Sequence, residues 1–513
     1  MTVTAPPTPP RWTRASLTVV LGLCALNTLV HLVLVNRYGY HADELYFIEC
    51  GRHLALGYVD HAPLIPWIAR VADALGGAGL LGLRLPAIAA STGTMTMIAL
   101  LVLEWGGGVR AQSVALLSFL LAPAHLRLAG MLNIPVIEVF LCTVASYLVV
   151  RALARNELRL WLLVGAVVGT ALLAKHTVML WGTGLVVGLL ATSHRRLLAT
   201  PAPWVALVVA AFLFAPNILW QVQHGFPTLE FGSNLRRDVS ADHGRLLFGL
   251  GQLLYFNPFV LPVWITGLAY SFTEAGRAAR PFALLFLTML ATLLIVGGKP
   301  YYLASAYPAV LAAGGIALEC WLKERRRAWG TLVCAISVSG IALAILTLPL
   351  LPIRTVDATI ESVLGRVVPP IALTHDMHGE LGWDVHVQTV NRVVDALPPE
   401  ERARAAILTG SYAQAAALNV LRAHPEPRAV SGHMNYYLWG PEVGRGGVLI
   451  AYGIPREWLA RHYRLVEERA RIDAPLARPW DTNLPVYVCH DPREELANVW
   501  PQLRKFDHRL PSL

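Results

Sequence analysis

The sequence predicts a polytopic α-helical membrane protein with about eleven transmembrane helices, interfacial helices in the first outer loop and a small C-terminal α/β extracytoplasmic domain. Composition is the first indication: 55% of the 513 residues are hydrophobic and only 15% are charged, whereas soluble domains carry about 25% charged residues. Long apolar runs recur through the first two thirds of the chain. Residues 352–513 are polar and contain no run of that length.

The apolar runs define the predicted spans, since a helix needs about 20 apolar residues to cross a bilayer. A short break at Lys175-His176 separates the fifth run from the sixth, and Asn257-Pro258 is expected to kink or break the eighth. The predicted spans are 15–35, 85–103, 110–126, 134–150, 160–174, 177–192, 203–219, 246–270, 282–297, 302–321 and 330–351.

The positions of the basic residues predict the orientation, because cytoplasmic loops concentrate Lys and Arg. With the N-terminus inside, every short basic cluster except Arg236-Arg237 falls on the cytoplasmic side. An odd number of spans then places residues 352–513 outside. The cytoplasmic clusters are Arg11 and Arg14; Arg110; Arg151, Arg155 and Arg159; Arg195 and Arg196; Arg277 and Arg280; and Lys323, Arg325, Arg326 and Arg327.

The polar parts of the chain predict two further features. In the first outer loop, 36–84, two sets of residues have the spacing of helices that lie in the membrane interface. The first set is Leu45, Ile48, His53 and Leu56, and the second is Ile65, Ile68, Ala69 and Ala72. In the C-terminal segment, RAAILTGSYAQAAALNVL predicts a strand, a turn and a helix, GGVLIAYG and LPVYVC predict strands, and REWLARHYRLVEERA predicts a helix. We therefore expect a transmembrane domain over 1–351 and an α/β domain over 352–513.

Composition also argues against two classes of function. The net charge of +9 comes from clusters that orientation in the membrane explains better than a nucleic-acid groove does. The six Cys residues form no CxxC pair, and the His residues lack the spacing of metal ligands. We predict no nucleic-acid partner and no metal site of the chain's own, and leave a divalent cation open as a cofactor.

Asp43 and Glu44 are the first candidate functional residues. Adjacent carboxylates close to lipid are costly, and transfer of a group to a hydroxyl or amine requires a base that removes a proton. One carboxylate could serve as that base while the other orients it. The alternative is a helix N-terminus, where acidic residues are favoured in the first turn.

Asp60 and His61, in GYVDHAPLIPW, could line the same cavity and bind a polar substrate. The alternative is a turn Asp that precedes a helix initiated by proline.

Lys175 and Lys299 lie at the predicted outer ends of spans, against the positive-inside trend. There a Lys can neutralise a departing phosphate, and Tyr301 and Tyr302 could frame the group that it holds. The alternative is that the Lys side chains snorkel to the interface, with Tyr301 and Tyr302 in an aromatic belt.

In their order along the chain, several motifs resemble one family. The chain is similar to the bacterial branch of the dolichyl-phosphate-mannose protein mannosyltransferase superfamily, glycosyltransferase family 39-like, which also includes lipid A aminoarabinose transferases. The resemblance covers nearly the whole chain. The motifs are DELYFIECGRHLALGYVDHAPL, LLAKHTVML, APNILWQVQHGFPTLEF, GQLLYFNPFVLPVWITGL, GGKPYYLASAYPAVLAAGG, GSYAQAAALNVL and SGHMNYYLWGP.

The resemblance implies a GT-C architecture with a catalytic first outer loop, a polyprenyl-phosphate sugar donor and, usually, inversion at the anomeric carbon. It implies that Asp43 is the general base with Glu44 as its partner, and that Asp60 is the second acidic position. The Lys299, Tyr301 and Tyr302 motif is implied to bind the carrier phosphate.

Two departures concern substrate contacts. Many relatives have Gln-Pro-Pro where this chain has His61-Ala62-Pro63, and many have an Asp where it has Asn133. The sugar and the acceptor therefore stay open.

Together these features predict a glycosyltransferase of the bacterial inner membrane. It would move a hexose or pentose from its lipid carrier to an envelope lipid, glycan or protein on the outer face. Asp43 and Lys299 would share one external, lipid-accessible cavity. The alternative function is a transporter or flippase of a lipid-linked sugar, which would not need Asp43 and Glu44. Transporters often contain inverted repeats, and the sequence shows no such repeat.

Overall fold

A computed structural model describes residues 12–76, 79–155, 157–242, 245–366, 368–423, 426–441 and 447–507. Arg11, one of the predicted cytoplasmic residues, lies outside this part of the chain. Two compact units are present. Unit 1 comprises residues 1–34, 84–219 and 239–348, and unit 2 comprises residues 35–83, 220–238 and 349–513.

Helices dominate the described residues. In chain order they are α1 (Arg14–Leu34), α2 (Ala42–Arg52), α3 (Leu64–Gly76), α4 (Leu80–Glu104), α5 (Val109–Leu120), α6 (Pro123–Leu128), α7 (Ile134–Arg155), α8 (Leu158–Leu172), α9 (Val178–Leu190), α10 (Pro201–Gln223), α11 (Pro227–Asp242), α12 (Arg245–Tyr255), α13 (Leu261–Ser271), α14 (Arg280–Val296), α15 (Tyr307–Trp321), α16 (Arg326–Thr347), α17 (Ile353–Leu364), α18 (Ile371–His378), α19 (Trp383–Asp395), α20 (Pro399–Arg402), α21 (Tyr412–Leu421), α22 (Asn435–Trp439), α23 (Arg456–His462) and α24 (Leu496–Val499).

Each predicted span overlaps an apolar helix or helix pair of the structure. By length and composition, six single helices among the described residues could cross a membrane, and the bent pair Phe248–Tyr255 and Pro258–Ser271 could form a seventh span. The remaining predicted spans correspond to α5, α8, α9 and α14, which are apolar but only 10–17 residues long. A polytopic helical fold is therefore confirmed, whereas the number of eleven crossings stays a prediction.

The predicted break of the eighth span is confirmed. The two parts of the pair meet at an angle of 89°. Asn257 has a positive φ of 65°, which Asn tolerates better than most residues. Its side-chain oxygen accepts a hydrogen bond from the backbone N–H of Phe259 at 3.0 Å, and Pro258 cannot continue the helical hydrogen-bond pattern.

Close contact between helix backbones defines the centre of unit 1. Helix α15 is buried from Tyr307 to Leu318 and packs against α13. A Cβ atom at Gly314 would lie 1.9 Å from the carbonyl oxygen of Val263. Only glycine therefore allows this approach, which is typical of helix packing in membranes.

Unit 2 contains a five-stranded sheet in the order β2-β1-β3-β5-β4, in which β1 pairs parallel with β2 and β3, and β5 pairs antiparallel with β3 and β4. The strands are β1 (Ala405–Thr409), β2 (Ala429–Ser431), β3 (Val448–Tyr452), β4 (Tyr463–Ile472) and β5 (Leu484–Pro492). Strands β1, β3 and β5 and helix α21 confirm the predicted α/β domain. Helices α17, α18 and α19 were not predicted.

The predicted single helix over REWLARHYRLVEERA is wrong in its second half. The helix ends at His462, and β4 begins at Tyr463. The many Arg and Glu residues suit an exposed helix, but they equally suit an edge strand, where charges discourage pairing with other chains. Backbone pairing with β5 along the whole of β4 decides between the two.

The first outer loop contains the two predicted helices, α2 and α3. Helix α2 ends at Arg52, so His53 and Leu56, which the sequence pattern assigned to this helix, lie beyond its end. Leu45 and Ile48 of α2 are completely buried, and the helix packs against α21 and α3. Residues 35–83 thus form a compact unit with residues 349–513, whereas the sequence grouped this loop with the transmembrane domain.

Glu49 joins the first outer loop to the C-terminal domain. Its side chain has no exposed surface, yet its carboxylate lies 3.3 Å from Arg52 and 3.1 Å from Arg428. The same carboxylate accepts hydrogen bonds from Asn419 at 3.0 Å and from the Tyr436 hydroxyl at 3.1 Å. Burial and the charge of Glu49 raise the pKa of Tyr436, so this hydroxyl keeps its proton and donates.

We predict that Glu49→Ala lowers the free energy of unfolding of unit 2 by about 2–4 kcal/mol, because it leaves the buried Tyr436 hydroxyl without its acceptor and removes the carboxylate that faces Arg428. Thermal unfolding of the purified chain measures the effect. Glu467→Ala is the matched control, since Glu467 is 39% exposed and forms a surface pair with Arg469. Equal unfolding midpoints for the two variants would contradict the role of Glu49.

Candidate functional site

Each unit contains a cluster of charged side chains that includes predicted site residues. In unit 2, the acidic cluster consists of Asp43, Asp60, Tyr46 and Tyr412. In unit 1, the cationic cluster consists of Lys175, Lys299, Glu138, Tyr301 and Tyr302.

Asp43 lies in the first turn of α2 and is held from the C-terminal domain. Its side chain is 46% exposed. The Tyr412 hydroxyl donates a hydrogen bond of 2.8 Å to its Oδ1 atom. The position of Tyr412 follows from the local fold: β1 ends at Thr409, and α21 begins at Tyr412. The Ser411 side chain caps this helix by accepting a hydrogen bond from the Gln414 N–H. Burial, and then the charge of Asp43, raise the pKa of Tyr412, so the hydroxyl stays protonated.

Glu44 has a different environment from Asp43. It is fully buried, and its Oε2 atom accepts a hydrogen bond of 2.9 Å from the backbone N–H of His41. The His41 Nδ1 atom accepts from the Asp43 N–H at 3.2 Å, which completes a capping box at the start of α2. Glu44 therefore occupies the helix-cap position that was the alternative for this pair, and a catalytic role for it stays a prediction.

Asp60 belongs to the same cluster through two tyrosines. The Tyr46 hydroxyl donates to Asp60 Oδ1 at 3.1 Å, and the ring centroids of Tyr46 and Tyr412 are 4.4 Å apart. The Asp60 side chain is only 15% exposed. Burial first, and to a smaller degree the charge of Asp43, raise its pKa, while His61 lowers it; the pKa is raised on balance.

His61 is packed behind Asp60. Its side chain is 1% exposed, and its Nε2 atom lies 3.8 Å from Asp60 Oδ1. The other ring nitrogen lies 3.0 Å from the carbonyl oxygen of Ala62. In this arrangement His61 contacts protein atoms, and binding of substrate by His61 stays a prediction.

Arg478 adds a positive charge that no sequence motif indicates. Its side chain is 14% exposed, and its Nε atom lies 2.7 Å from Asp481 Oδ2. The guanidinium also lies over the rings of Trp383 and Trp480. Burial lowers the pKa of Arg478, but the charges of Asp481 and, to a smaller degree, Asp43 raise it on balance. No motif spacing connects residue 478 with residue 43, so only the fold reveals this proximity.

In unit 1, Lys175 occupies the break between α8 and α9. Its ammonium group lies 4.2 Å from the ring centroid of Tyr302 and 4.8 Å from that of Tyr301. Lys299 directly precedes the 3₁₀ segment Pro300–Ala306, and its positive charge acts on Lys175 through space. The structure thus brings together the four unit 1 residues that the sequence selected.

Glu138 completes the cationic cluster, although it was not among the residues predicted for the site. Its Oε2 atom lies 3.5 Å from Lys175 Nζ, and the Thr177 hydroxyl donates to its Oε1 at 2.7 Å. A carboxylate inside a predicted span is a functional candidate by default, so the signal was present in IPVIEVF. Because Lys175 is 16% exposed and paired, simple snorkelling does not describe it.

Three further observations restrict what the site residues can do. At Asn133, where this chain departs from the family pattern, the side-chain oxygen accepts a hydrogen bond of 2.9 Å from the Val136 N–H and so caps the start of α7. Among the residues that the structure describes, no group of three or more His, Cys, Asp or Glu side chains could hold a metal ion. Asp43 and Lys299 belong to different units, and the prediction that they share one cavity stays a prediction.

Comparisons with known proteins find similarity to a family model over part of the chain and to a curated relative. The family model for dolichyl-phosphate-mannose-protein mannosyltransferases matches residues 60–220. The lipid A galacturonosyltransferase RgtD of Rhizobium johnstonii is 27% identical over 383 residues, which are 69% of this chain and 76% of that relative.

Solved structures of one protein share the fold. ArnT from Cupriavidus metallidurans bound to undecaprenyl phosphate has a TM-score of 0.61 at 16% identity, covering 91% of this chain and 97% of that one. The same protein in the apo state has a TM-score of 0.57 at 18% identity, with coverages of 92% and 98%. The comparisons confirm the predicted GT-C fold and the resemblance to family 39-like glycosyltransferases.

We predict that Asp60→Asn changes the pH dependence of stability. A carboxyl group whose pKa is raised by folding holds its proton more tightly in the folded chain than in the unfolded chain. Ionisation of Asp60 therefore lowers the free energy of unfolding as pH rises from the unfolded-state pKa of this group through its folded-state pKa. The difference in unfolding temperature between Asp60→Asn and the unaltered chain should be small in acid and should grow in favour of the variant as pH rises. A difference independent of pH would contradict this environment for Asp60.

Proposed function

We propose that this GT-C glycosyltransferase of the family 39-like group transfers one sugar from a polyprenyl-phosphate carrier to an acceptor on the outer face of the bacterial inner membrane. The observation that carries the proposal is the half-exposed carboxylate of Asp43, fixed by the Tyr412 hydroxyl. Support for the carrier comes from ArnT, whose structure holds undecaprenyl phosphate. Support for a lipid acceptor comes from RgtD, which is named for its transfer to lipid A.

Asp43 is assigned as the base because its side chain is the most exposed among the acidic residues of the first outer loop. Glu44 and Glu49 are fully buried. Asp60 and Asp73 are 15% and 13% exposed and have Tyr46 and Arg52 as partners. Asp43, at 46%, presents a carboxylate that an incoming acceptor can reach. A general base must lie within hydrogen-bond distance of the proton that it removes.

The reaction is a single displacement. The acceptor hydroxyl or amine attacks the anomeric carbon as Asp43 takes its proton, and the bond between that carbon and the carrier phosphate breaks on the opposite side. The anomeric centre is inverted, and polyprenyl phosphate leaves with the bonding electrons. The transferred sugar is a hexose or a pentose.

Lys175 and Lys299 bind the phosphate of the carrier. A departing phosphate gains negative charge, and nearby ammonium groups stabilise it. Two ammonium groups close to each other repel, so an anion between them is favoured. The Glu138 carboxylate lies 3.5 Å from the Lys175 ammonium group, which also lies over the rings of Tyr301 and Tyr302. These contacts fix one cation in place before the carrier binds.

The chain lies in the membrane with its N-terminus in the cytoplasm and its C-terminal domain outside. The basic clusters between the apolar runs support this orientation. It places the first outer loop and Asp43 on the side where envelope acceptors are found.

We expect Asp43→Asn to lower transfer at least a hundredfold, because it removes the base without changing the size of the side chain. The assay follows release of polyprenyl phosphate from a labelled polyprenyl-phosphate sugar by the purified chain. Thermal unfolding of the variant should match that of the unaltered chain. Asp473→Asn, at an exposed position of the same unit, should keep full activity. Full activity of Asp43→Asn would remove this residue from the mechanism, and movement of the intact donor without release would favour a flippase.

A further inference from the structure

A cavity of about 270 Å³ opens in unit 2, beside the acidic cluster rather than within it. We call it the aromatic pocket. Its walls come from the loop that follows α2, from the end of α10 and from α22. The lining side chains that matter here are His53, Tyr58, Trp220, His224, Asn435 and Trp439.

Two imidazole–indole stacks line the pocket. The rings of His53 and Trp439 are 4.2 Å apart at 18°, and those of Trp220 and His224 are 4.1 Å apart at 19°. Each stack is nearly parallel, so both indoles are held in fixed orientations. Flat aromatic faces bind the apolar C–H face of a ring-shaped ligand and exclude water from it.

Both imidazoles are also fixed in one tautomer. The Nδ1 atom of His53 lies 3.0 Å from the Glu49 carbonyl oxygen, and that of His224 lies 2.8 Å from the Trp220 carbonyl oxygen. A nitrogen facing a carbonyl must carry the proton, so Nε2 of each neutral ring is an acceptor. Within the described part of the chain, neither Nε2 atom has a hydrogen-bond partner, and each can receive a hydroxyl proton.

Asn435 connects this pocket to the acidic cluster. Its side-chain oxygen accepts from the Val59 N–H at 3.1 Å, and its amide nitrogen donates to the Tyr46 hydroxyl at 2.7 Å. That hydroxyl in turn donates to Asp60 at 3.1 Å. Two hydrogen bonds therefore separate a wall of the pocket from the Asp60 carboxylate of the acidic cluster.

We propose that the aromatic pocket binds one pyranose ring of the acceptor, a saccharide, adjacent to the residue that receives the new sugar. Aromatic faces beside hydroxyl-accepting nitrogens suit a sugar ring, which has an apolar C–H face and a rim of hydroxyls. The volume suits one ring, since cavities for larger ligands occupy about 300–1,000 Å³. The acceptor role rests on the proposed function, whereas sugar binding by the pocket does not.

The test is ligand-observed NMR on the full chain in detergent micelles, with the methyl pyranosides of galactose, glucosamine, mannose and galacturonic acid as probes. Sorbitol is the control ligand, because it has hydroxyls but no ring. Trp439→Ala should weaken binding of the preferred pyranoside about tenfold, and His224→Ala about threefold. Because His224 is exposed, its replacement keeps the test valid if Trp439→Ala fails to fold.

Trp458→Ala is the matched control, since Trp458 packs against His462 elsewhere in unit 2, with ring centroids 4.3 Å apart at 45°. It should bind the pyranosides as the unaltered chain does. Failure of all four pyranosides to bind, binding of sorbitol as strong as theirs, or undiminished binding by His224→Ala would overturn the proposal.

The same variants separate this proposal from the proposed function. For a saccharide acceptor, His224→Ala should raise KM with a much smaller change in kcat. If the unaltered chain released no polyprenyl phosphate but His224→Ala still lost pyranoside binding, the glycosyltransferase assignment would fail and the sugar site would stand. Asp43→Asn should bind pyranosides normally, because Asp43 does not line the pocket.

Discussion

The hydrogen bond from Tyr412 to Asp43 is the contact on which the proposed chemistry depends. The two residues are 369 positions apart in the chain, so the bond exists only when the first outer loop and the C-terminal domain fold together. A carboxylate alone at a helix start would be one more capping group. Held by a buried hydroxyl and half-exposed, the Asp43 carboxylate has a fixed direction, which suits the proposed role of a base.

Other contacts within unit 2 support this bond. Glu49 attaches α2 to the C-terminal domain through Arg428, Asn419 and Tyr436, and Asn435 attaches the loop around Val59. These contacts lie deeper in the protein than Asp43 does, and they fix the position of α2 before any substrate arrives. The C-terminal domain therefore builds the proposed active site, in addition to any role in covering it.

Much of the helical fold could be predicted from the sequence, because the length of an apolar run reflects simple solvation. The breaks at Lys175 and Asn257 were predictable for local reasons, a short polar interruption in one case and a proline in the other. Lys175, Tyr301 and Tyr302 were selected as functional and are found together. Glu138 could have been selected by the same reasoning, because a lone carboxylate within an apolar run is costly.

The remaining features depend on long-range packing, which has no local signal. Nothing in the sequence around Tyr412 or Arg478 indicates proximity to Asp43. The strand β4 was interpreted as helix because its charged residues suit both structures, and only pairing with β5 decides. Likewise Asp43 and Glu44 look equivalent in the sequence, whereas in the structure one is half-exposed and the other is buried in a capping box.

The most direct measurement is kcat of Tyr412→Phe at neutral pH, compared with that of Tyr463→Phe, which alters a buried tyrosine of β4. Loss of the hydrogen bond from Tyr412 to the Asp43 carboxylate should lower kcat by roughly 10–100-fold, because hydrogen bonds to charged groups are among the stronger ones in proteins. Tyr463→Phe should leave kcat unchanged. A Tyr412→Phe enzyme with an unaltered kcat would contradict the account.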